Sequence, residues 1–182
     1  MKKINFFAIL MIAIIAPNTF SQNSATTNAS AELLIAMKLT QTSALNFGAN
    51  ILTDATGGTV VLPADNITRS YSGGVAASAS TPAASNASYT VSGNVGETYA
   101  ILLPTSIVVT HSTGATGAGV RTMNITEMTA RFNGAAQNTI NNSSTLDANG
   151  NDSFKVGGKL TIAAGQLGGT YNGTFPISVD YN

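Results

Sequence analysis

The 182-residue chain has no cysteine and no tryptophan, a single histidine, and charged residues at only 9% of its positions. Each shortage excludes something. Without cysteine there are no disulfides and no lipid-modified N-terminal cysteine of the bacterial lipoprotein kind, so stability has to come from burial. One histidine with no cysteine cannot make a usual zinc site, which wants three or four N, S or O ligands. Ordinary domains carry about 25% charge. Here eight basic and eight acidic residues leave a formal net charge of zero, so no basic patch invites nucleic acid and no field steers a charged partner.

What fills the space is apolar residues, at 43%, with abundant Ser, Thr, Asn and Gly. Low charge combined with that apolar content is the opposite of a disordered composition. It fits sheets whose wet faces carry hydroxyls and amides. The one long apolar run stands at the beginning. Met1-Lys2-Lys3 precedes Ile4 to Ala16, and Pro17-Asn18 breaks the run before Thr19-Phe20-Ser21. A positive start, a short apolar stretch and small residues before a cleavage point make a secretory signal peptide. The run falls short of the roughly 20 residues that a membrane span needs. Cleavage is expected after Ser21, giving a mature chain that begins at Gln22 with no membrane span. Residues 1–21 are then the signal, 22–31 a flexible leader, and 32–182 one sandwich domain. A domain of roughly 150 residues can bury about 70% of its unfolded surface, which suffices without cross-links.

Alternation dominates from Ala31 onwards. A strand is expected through Leu33, Ile35, Met37 and Leu39, with Leu45 and Phe47 closing the segment before Gly48. Further strands are expected at Thr59–Leu62, at Arg69–Ser72 and around Tyr89 and Val91. The segment Val75 to Asn86, rich in Ala and Ser, reads as a loop. Tyr99, Ile101 and Leu103 alternate, and the added Leu102 suggests a strand buried on both faces. Ile107–Val109 follows, then a Gly/Thr loop from His111 to Gly119, then a strand through Met123, Ile125 and Met128, with Phe132 after it. Gly134 to Asn151 reads as polar turns.

Two segments need argument. Gly157-Gly158 could turn a hairpin, but that register would pair polar with apolar side chains on both faces. Run straight through, Phe154, Val156, Gly158, Leu160 and Ile162 share one face, so a single strand is expected, bulged at the glycines. The last twelve residues alternate without a break. Tyr171, Gly173, Phe175, Ile177, Val179 and Tyr181 fall on one face and polar residues on the other. They read as one closing strand, a structural element rather than an anchor. Eight or nine short strands with no helix in the mature chain make an all-β antiparallel sandwich.

The order of short motifs resembles a bacterial secreted family known as domain of unknown function 4402. The residues are Leu45-Asn46-Phe47-Gly48, Gly57-Gly58-Thr59-Val60-Val61-Leu62-Pro63, Ser72-Gly73-Gly74-Val75, Tyr89-Thr90-Val91-Ser92-Gly93, Tyr99 to Pro104, Phe154 to Leu160 and Gly169 to Phe175. The resemblance implies an immunoglobulin-like sandwich and brings no catalytic or binding residue with it. The closing Gly-x-Tyr-x-x-x-Phe-x-Ile-x-Val-x-Tyr pattern also looks like the end of spore-coat-U-type pilus subunits, which commonly carry disulfides that this chain lacks.

Chemistry-bearing residues are sparse. His111 reads as a loop histidine, and no Gly-x-Ser-x-Gly elbow accompanies the serines. The carboxylates Glu32, Asp54, Asp65, Glu97, Glu127, Asp147, Asp152 and Asp180 are expected singly, in loops and on wet faces. Asp147 to Asp152 resembles half a calcium loop, but its glycine falls at position four and Gly158 stands where the closing glutamate should be. An Asn-Gly turn explains it. The eight Asn-x-Ser/Thr triplets follow from composition. Gly57-Gly58 and Gly73-Gly74 read as turn glycines, since no helix follows them to bind phosphate. No catalytic, cofactor or metal residue is therefore assigned. The expectation is an exported, non-enzymatic structural or surface protein of pilin-like architecture, located in the periplasm, on the cell surface or outside the cell. The alternative is a glycan- or small-ligand-binding module. Its expected partners are a second copy or the cell surface.

Overall fold

A computed structural model describes residues 23–78, 83–112, 118–133 and 142–182. The signal and its cleavage point lie outside them. The chain divides into two units, Met1–Leu33 and Leu34–Asn182. The described part of the first, residues 23–33, carries no strand and is exposed throughout.

The second unit holds eleven strands among the described residues: β1 (Lys38–Ser43), β2 (Ile51–Leu62), β3 (Ser70–Ala77), β4 (Ala87–Ser92), β5 (Thr98–Leu102), β6 (Ser106–His111), β7 (Thr122–Phe132), β8 (Ser143–Thr145), β9 (Asn151–Ile162), β10 (Tyr171–Asn172) and β11 (Ser178–Tyr181). All strand pairs are antiparallel. Eight strands form the large sheet, and β11, β5 and β8 form a second sheet of three. The all-β sandwich expected from the sequence is the fold observed.

The strand β9 is the spine of the large sheet. Along one edge it pairs with β7 for most of its length. Along the other it pairs first with β4, from Asn151 to Val156, and then with β2, from Gly158 to Ile162. The straight-through reading of Phe154–Ile162 is correct, and the strand is longer than expected. Gly157 stands where the partner changes. A Cβ there would lie 2.2 Å from the Leu62 carbonyl oxygen and 2.6 Å from the Pro63 carbonyl carbon, so the end of β2 passes directly over it.

Inward-facing residues line up across strands. Tyr89, Phe154 and Phe132 are direct partners on β4, β9 and β7, with ring centroids 5.0 Å and 5.7 Å apart. Ala87, Val156 and Ala130 make the next row, all fully buried. Beyond them Ile107, Ile125, Leu160, Val60 and Tyr71 run across five strands. The three-stranded sheet adds Tyr99, whose ring meets Phe132 edge-on at 6.0 Å. A fully buried side chain such as Phe154 contributes roughly 1.5–3 kcal/mol, so these rows supply what disulfides do not.

Several expectations need correction. The first strand begins at Lys38, not Ala31, because its partner runs out. Lys38 pairs with Ser92, the last residue of β4, and the Gly93 amide then donates to the Gly150 carbonyl instead. Leu33 and Ile35 are left 92% and 64% exposed. The β5 strand is not buried on both faces: Tyr99 and Ile101 face the core, while Leu102 is 71% exposed on the outer face of the small sheet. The glycine pairs at 57–58 and 73–74 lie inside β2 and β3 rather than in turns. Gly58 pairs with Gly73, and an irregularity sets Asp54 to Gly57 against Gly74. Val75–Ala77 belongs to β3, not to a loop, and Ser143–Thr145 in the polar stretch forms β8.

The closing strand is divided between the two sheets. Tyr171 and Asn172 pair with β6, whereas Ser178 to Tyr181 pair with β5. Gly173 passes so close to β6 that a Cβ would lie 2.6 Å from the Val108 carbonyl oxygen, and Pro176, which has no N–H to donate, occupies the crossing. The expected alternation of faces persists through the crossing. Its odd-numbered side chains from Phe175 to Tyr181 are only partly buried against the core.

Candidate functional site

A groove of about 650 Å³ opens to solvent. Its walls come from the end of β2, the turn between β5 and β6, the middle of β7 and the centre of β9. An irregularity in β7 shapes it. Thr126 pairs with Lys159 and Thr129 with Gly157, so Glu127 and Met128 together stand opposite Gly158. The expected bulge at the glycines therefore lies on the neighbouring strand, and the glycine accommodates it. A Cβ on Gly158 would lie 2.9 Å from the Met128 sulfur and 3.1 Å from Ile125 Cγ2.

Glu127 sits in the left-handed region at φ 49°. Among the described residues, the other two non-glycine residues with positive φ are Asn50 and Asn133, a type that tolerates the conformation well. A glutamate there costs on the order of 1–3 kcal/mol and persists only where its surroundings hold it. Here the carboxylate pairs with the Lys159 ammonium group on β9. The pair is partly exposed, with 28% of Lys159 and 65% of Glu127 accessible, so its own contribution is small. Two further residues of the lining, Thr129 and Asn142, carry uncharged polar atoms. Thr129 Oγ1 and the Asn142 side-chain oxygen are both buried and both lack a protein partner. Buried polar atoms are nearly always hydrogen-bonded, so an unpaired couple in one groove is unusual. Leu62, Pro63, Leu103, Pro104 and Met128 supply apolar surface around them.

A second depression of about 360 Å³ lies against β1, β4 and β9. Its one carboxylate, Asp152, is already engaged. Asp152 Oδ2 accepts from the Tyr99 hydroxyl at 3.0 Å and Oδ1 from the Ser153 amide at 2.7 Å.

The residues singled out in the sequence do not converge. His111 ends β6, where its Nε2 lies 3.1 Å from the Gly168 carbonyl oxygen and its ring meets Tyr171 edge-on. Asp147 Oδ1 accepts the amides of Asn149 and Asn151, both at 2.8 Å, which makes the segment a turn leading into β9. Asp54 Oδ1 accepts from the Thr56 hydroxyl and amide, and these bonds hold its carboxyl below the ordinary range. Asp152 corrects the expectation of carboxylates confined to loops and wet faces, since it is 8% exposed and faces inward. No group of three or more His, Asp or Glu side chains able to hold a metal occurs among the described residues.

Glu127 and Thr129 were not read as site residues, yet the sequence carries a signal of their placement. Met123 and Ile125 share one parity, while Met128, Ala130 and Phe132 share the other. A change of phase inside a strand marks a bulge.

A comparison with curated proteins matches none of them. Among protein-family models, the one described as Domain of unknown function (DUF4402) matches residues 37–181, from just before β1 to the end of β11. The motifs that span the sandwich are thus those of a recognised family, and the chain belongs to it.

Proposed function

We propose that this protein is an exported, non-enzymatic structural or surface domain, pilin-like in architecture, that associates through the free edges of its large sheet. The observation that carries the reading is the edge formed by β3. The strand is eight residues long, pairs only with β2, and contains no charge and no proline. No backbone hydrogen bond to another segment occupies its outer side among the described residues. Soluble proteins usually guard such edges with lysine, proline or a covering segment. On the same side of β9, β1 pairs only with β4 and carries Lys38 as its sole charge. Strand addition at edges of this kind binds through main-chain hydrogen bonds and needs little side-chain recognition, which suits a protein with few charges. The signal pattern at residues 1–21 supports export.

Fractionation of producing cells tests the reading. The exported fraction is expected to hold a multimeric species whose intact mass begins at Gln22. A monomer retained inside the cell with residues 1–21 intact would contradict it.

A further inference from the structure

We infer that residues 32–38 pair antiparallel with the same segment of a second copy, about a two-fold axis at Ile35. The contact rests on the reading of edge association and adds to it a second site, separate from β3. The segment leads directly into β1, whose outer edge is free, since β1 pairs only with β4. Ile35 commits both its main-chain groups to the domain. Its amide donates to the Asn94 side-chain oxygen at 3.4 Å, and its carbonyl accepts from the Tyr181 hydroxyl at 2.7 Å. In an extended chain, neighbouring residues point their main-chain groups to opposite sides. Drawn out as a strand, the segment therefore turns the amides and carbonyls of Leu34 and Ala36 outward. Among the described residues no backbone hydrogen bond reaches them.

The sequence Ala31-Glu32-Leu33-Leu34-Ile35-Ala36-Met37-Lys38-Leu39 is self-complementary about Ile35. Pairing two copies there sets Leu34 opposite Ala36 of the second copy, and these two exchange both main-chain bonds. Ile35 then meets its own counterpart in a non-hydrogen-bonded pair, the type whose side chains lie closest. Leu33 falls opposite Met37, so Leu33, Ile35 and Met37 of both strands form one apolar strip. Leu33 and Ile35 are 92% and 64% exposed in the single chain. One place further out Glu32 falls opposite Lys38, twice by symmetry. Both are exposed, and neither forms a salt bridge among the described residues. An axis at Leu34 or Ala36 would set Glu32 against Ala36 or Thr40 instead, so the charges select the register. So short a contact stays below the roughly 1,200 Å² of stable interfaces. Alone it leaves the chain monomeric in sedimentation, and it acts between copies that β3 brings together.

The chain has no cysteine, so one introduced thiol reports self-contact alone. Ile35→Cys in the mature chain is expected to give a disulfide-linked dimer under mild oxidation, roughly tenfold faster than Thr27→Cys in the exposed leader. The same cross-link is expected with Ala76→Lys added, which charges the β3 edge, so failure of β3 association and failure of this contact read separately. Adding Glu32→Lys to Ile35→Cys sets like charges opposite each other and is expected to slow cross-linking roughly threefold. Adding Lys38→Glu as well is expected to restore the rate. A rate at Ile35→Cys no higher than at Thr27→Cys would overturn the inference. So would a rate indifferent to Glu32→Lys, or a double reversal that fails to restore it. A cross-link lost with Ala76→Lys would place the contact at β3 and overturn it too.

Discussion

Tyr99 of the three-stranded sheet donates its hydroxyl to Asp152 of β9 at 3.0 Å, so the two sheets are joined inside the core by a phenol and a carboxylate. Tyr99 is fully buried and Asp152 is 8% exposed. Burial, followed by the nearby Asp152 charge and their hydrogen bond, raises the Tyr99 ionisation far above the ordinary tyrosine range. Tyr99→Phe leaves the carboxylate short of a partner while keeping the ring against Phe132. The expected loss is about 1–3 kcal/mol by chemical denaturation. The pH dependence has a definite sign. A phenol whose folded pKa is raised contributes stability that is complete below its unfolded pKa of about 10 and declines above it as the unfolded chain ionises. Stability is therefore expected to fall with rising pH from about 10 upward, and less steeply in Tyr99→Phe.

Gly157 and Gly168 make a matched pair for testing the junction in the large sheet. A Cβ at Gly157 would meet backbone atoms of Leu62, Pro63 and Ala64 at 2.2–2.7 Å, whereas a Cβ at Gly168 meets nothing within 4 Å. Backbone cannot move aside as a flexible side chain can. Gly157→Ala is expected to cost about 1–3 kcal/mol or more, the range for an overpacked interior, and Gly168→Ala to stay within about 0.5 kcal/mol of the parent. Thermal melts of the two variants check the difference.

Tyr181 ties the beginning of the domain to its end. Its hydroxyl donates to the Ile35 carbonyl at 2.7 Å and accepts the Asn94 amide at 2.8 Å. The Asn94 side-chain oxygen in turn accepts the Ile35 amide at 3.4 Å. Since residues 34–37 have no strand partner, these bonds are their main-chain attachment. Tyr181→Phe is expected to speed proteolysis at residues 33–37 and leave β9 protected in hydrogen exchange. Equal cleavage rates in parent and variant would show that the segment is held by its side chains alone.

The sequence was most informative where a strand faces the core on one side and water on the other. Tyr89 and Val91, and the run from Phe154 to Ile162, all appear on their expected faces. Parity reveals a face but says nothing of a partner, and the misreadings share that cause. Leu33 to Met37 alternates as well as any strand, yet β4 ends too soon to pair with it. Tyr171 to Tyr181 alternates throughout, yet its two ends join different sheets. Leu102 is apolar because of its residue type, not its burial. The groove was hidden for another reason. It depends on a bulge in β7, and its polar atoms belong to a threonine and an asparagine in a chain full of both. Only the phase change between Ile125 and Met128 marks it.

The central claim is association through the β3 edge, and sedimentation velocity of the mature chain beside its Ala76→Lys variant tests it most directly. Ala76 is exposed on β3, opposite Leu52, itself 55% exposed, so a lysine there fits the monomer and places charge along the edge. The account predicts concentration-dependent oligomers of the parent chain and a monomer for Ala76→Lys, with unchanged melting at low concentration. A parent chain that stays monomeric at every concentration, or oligomers that persist unchanged in the variant, would contradict it.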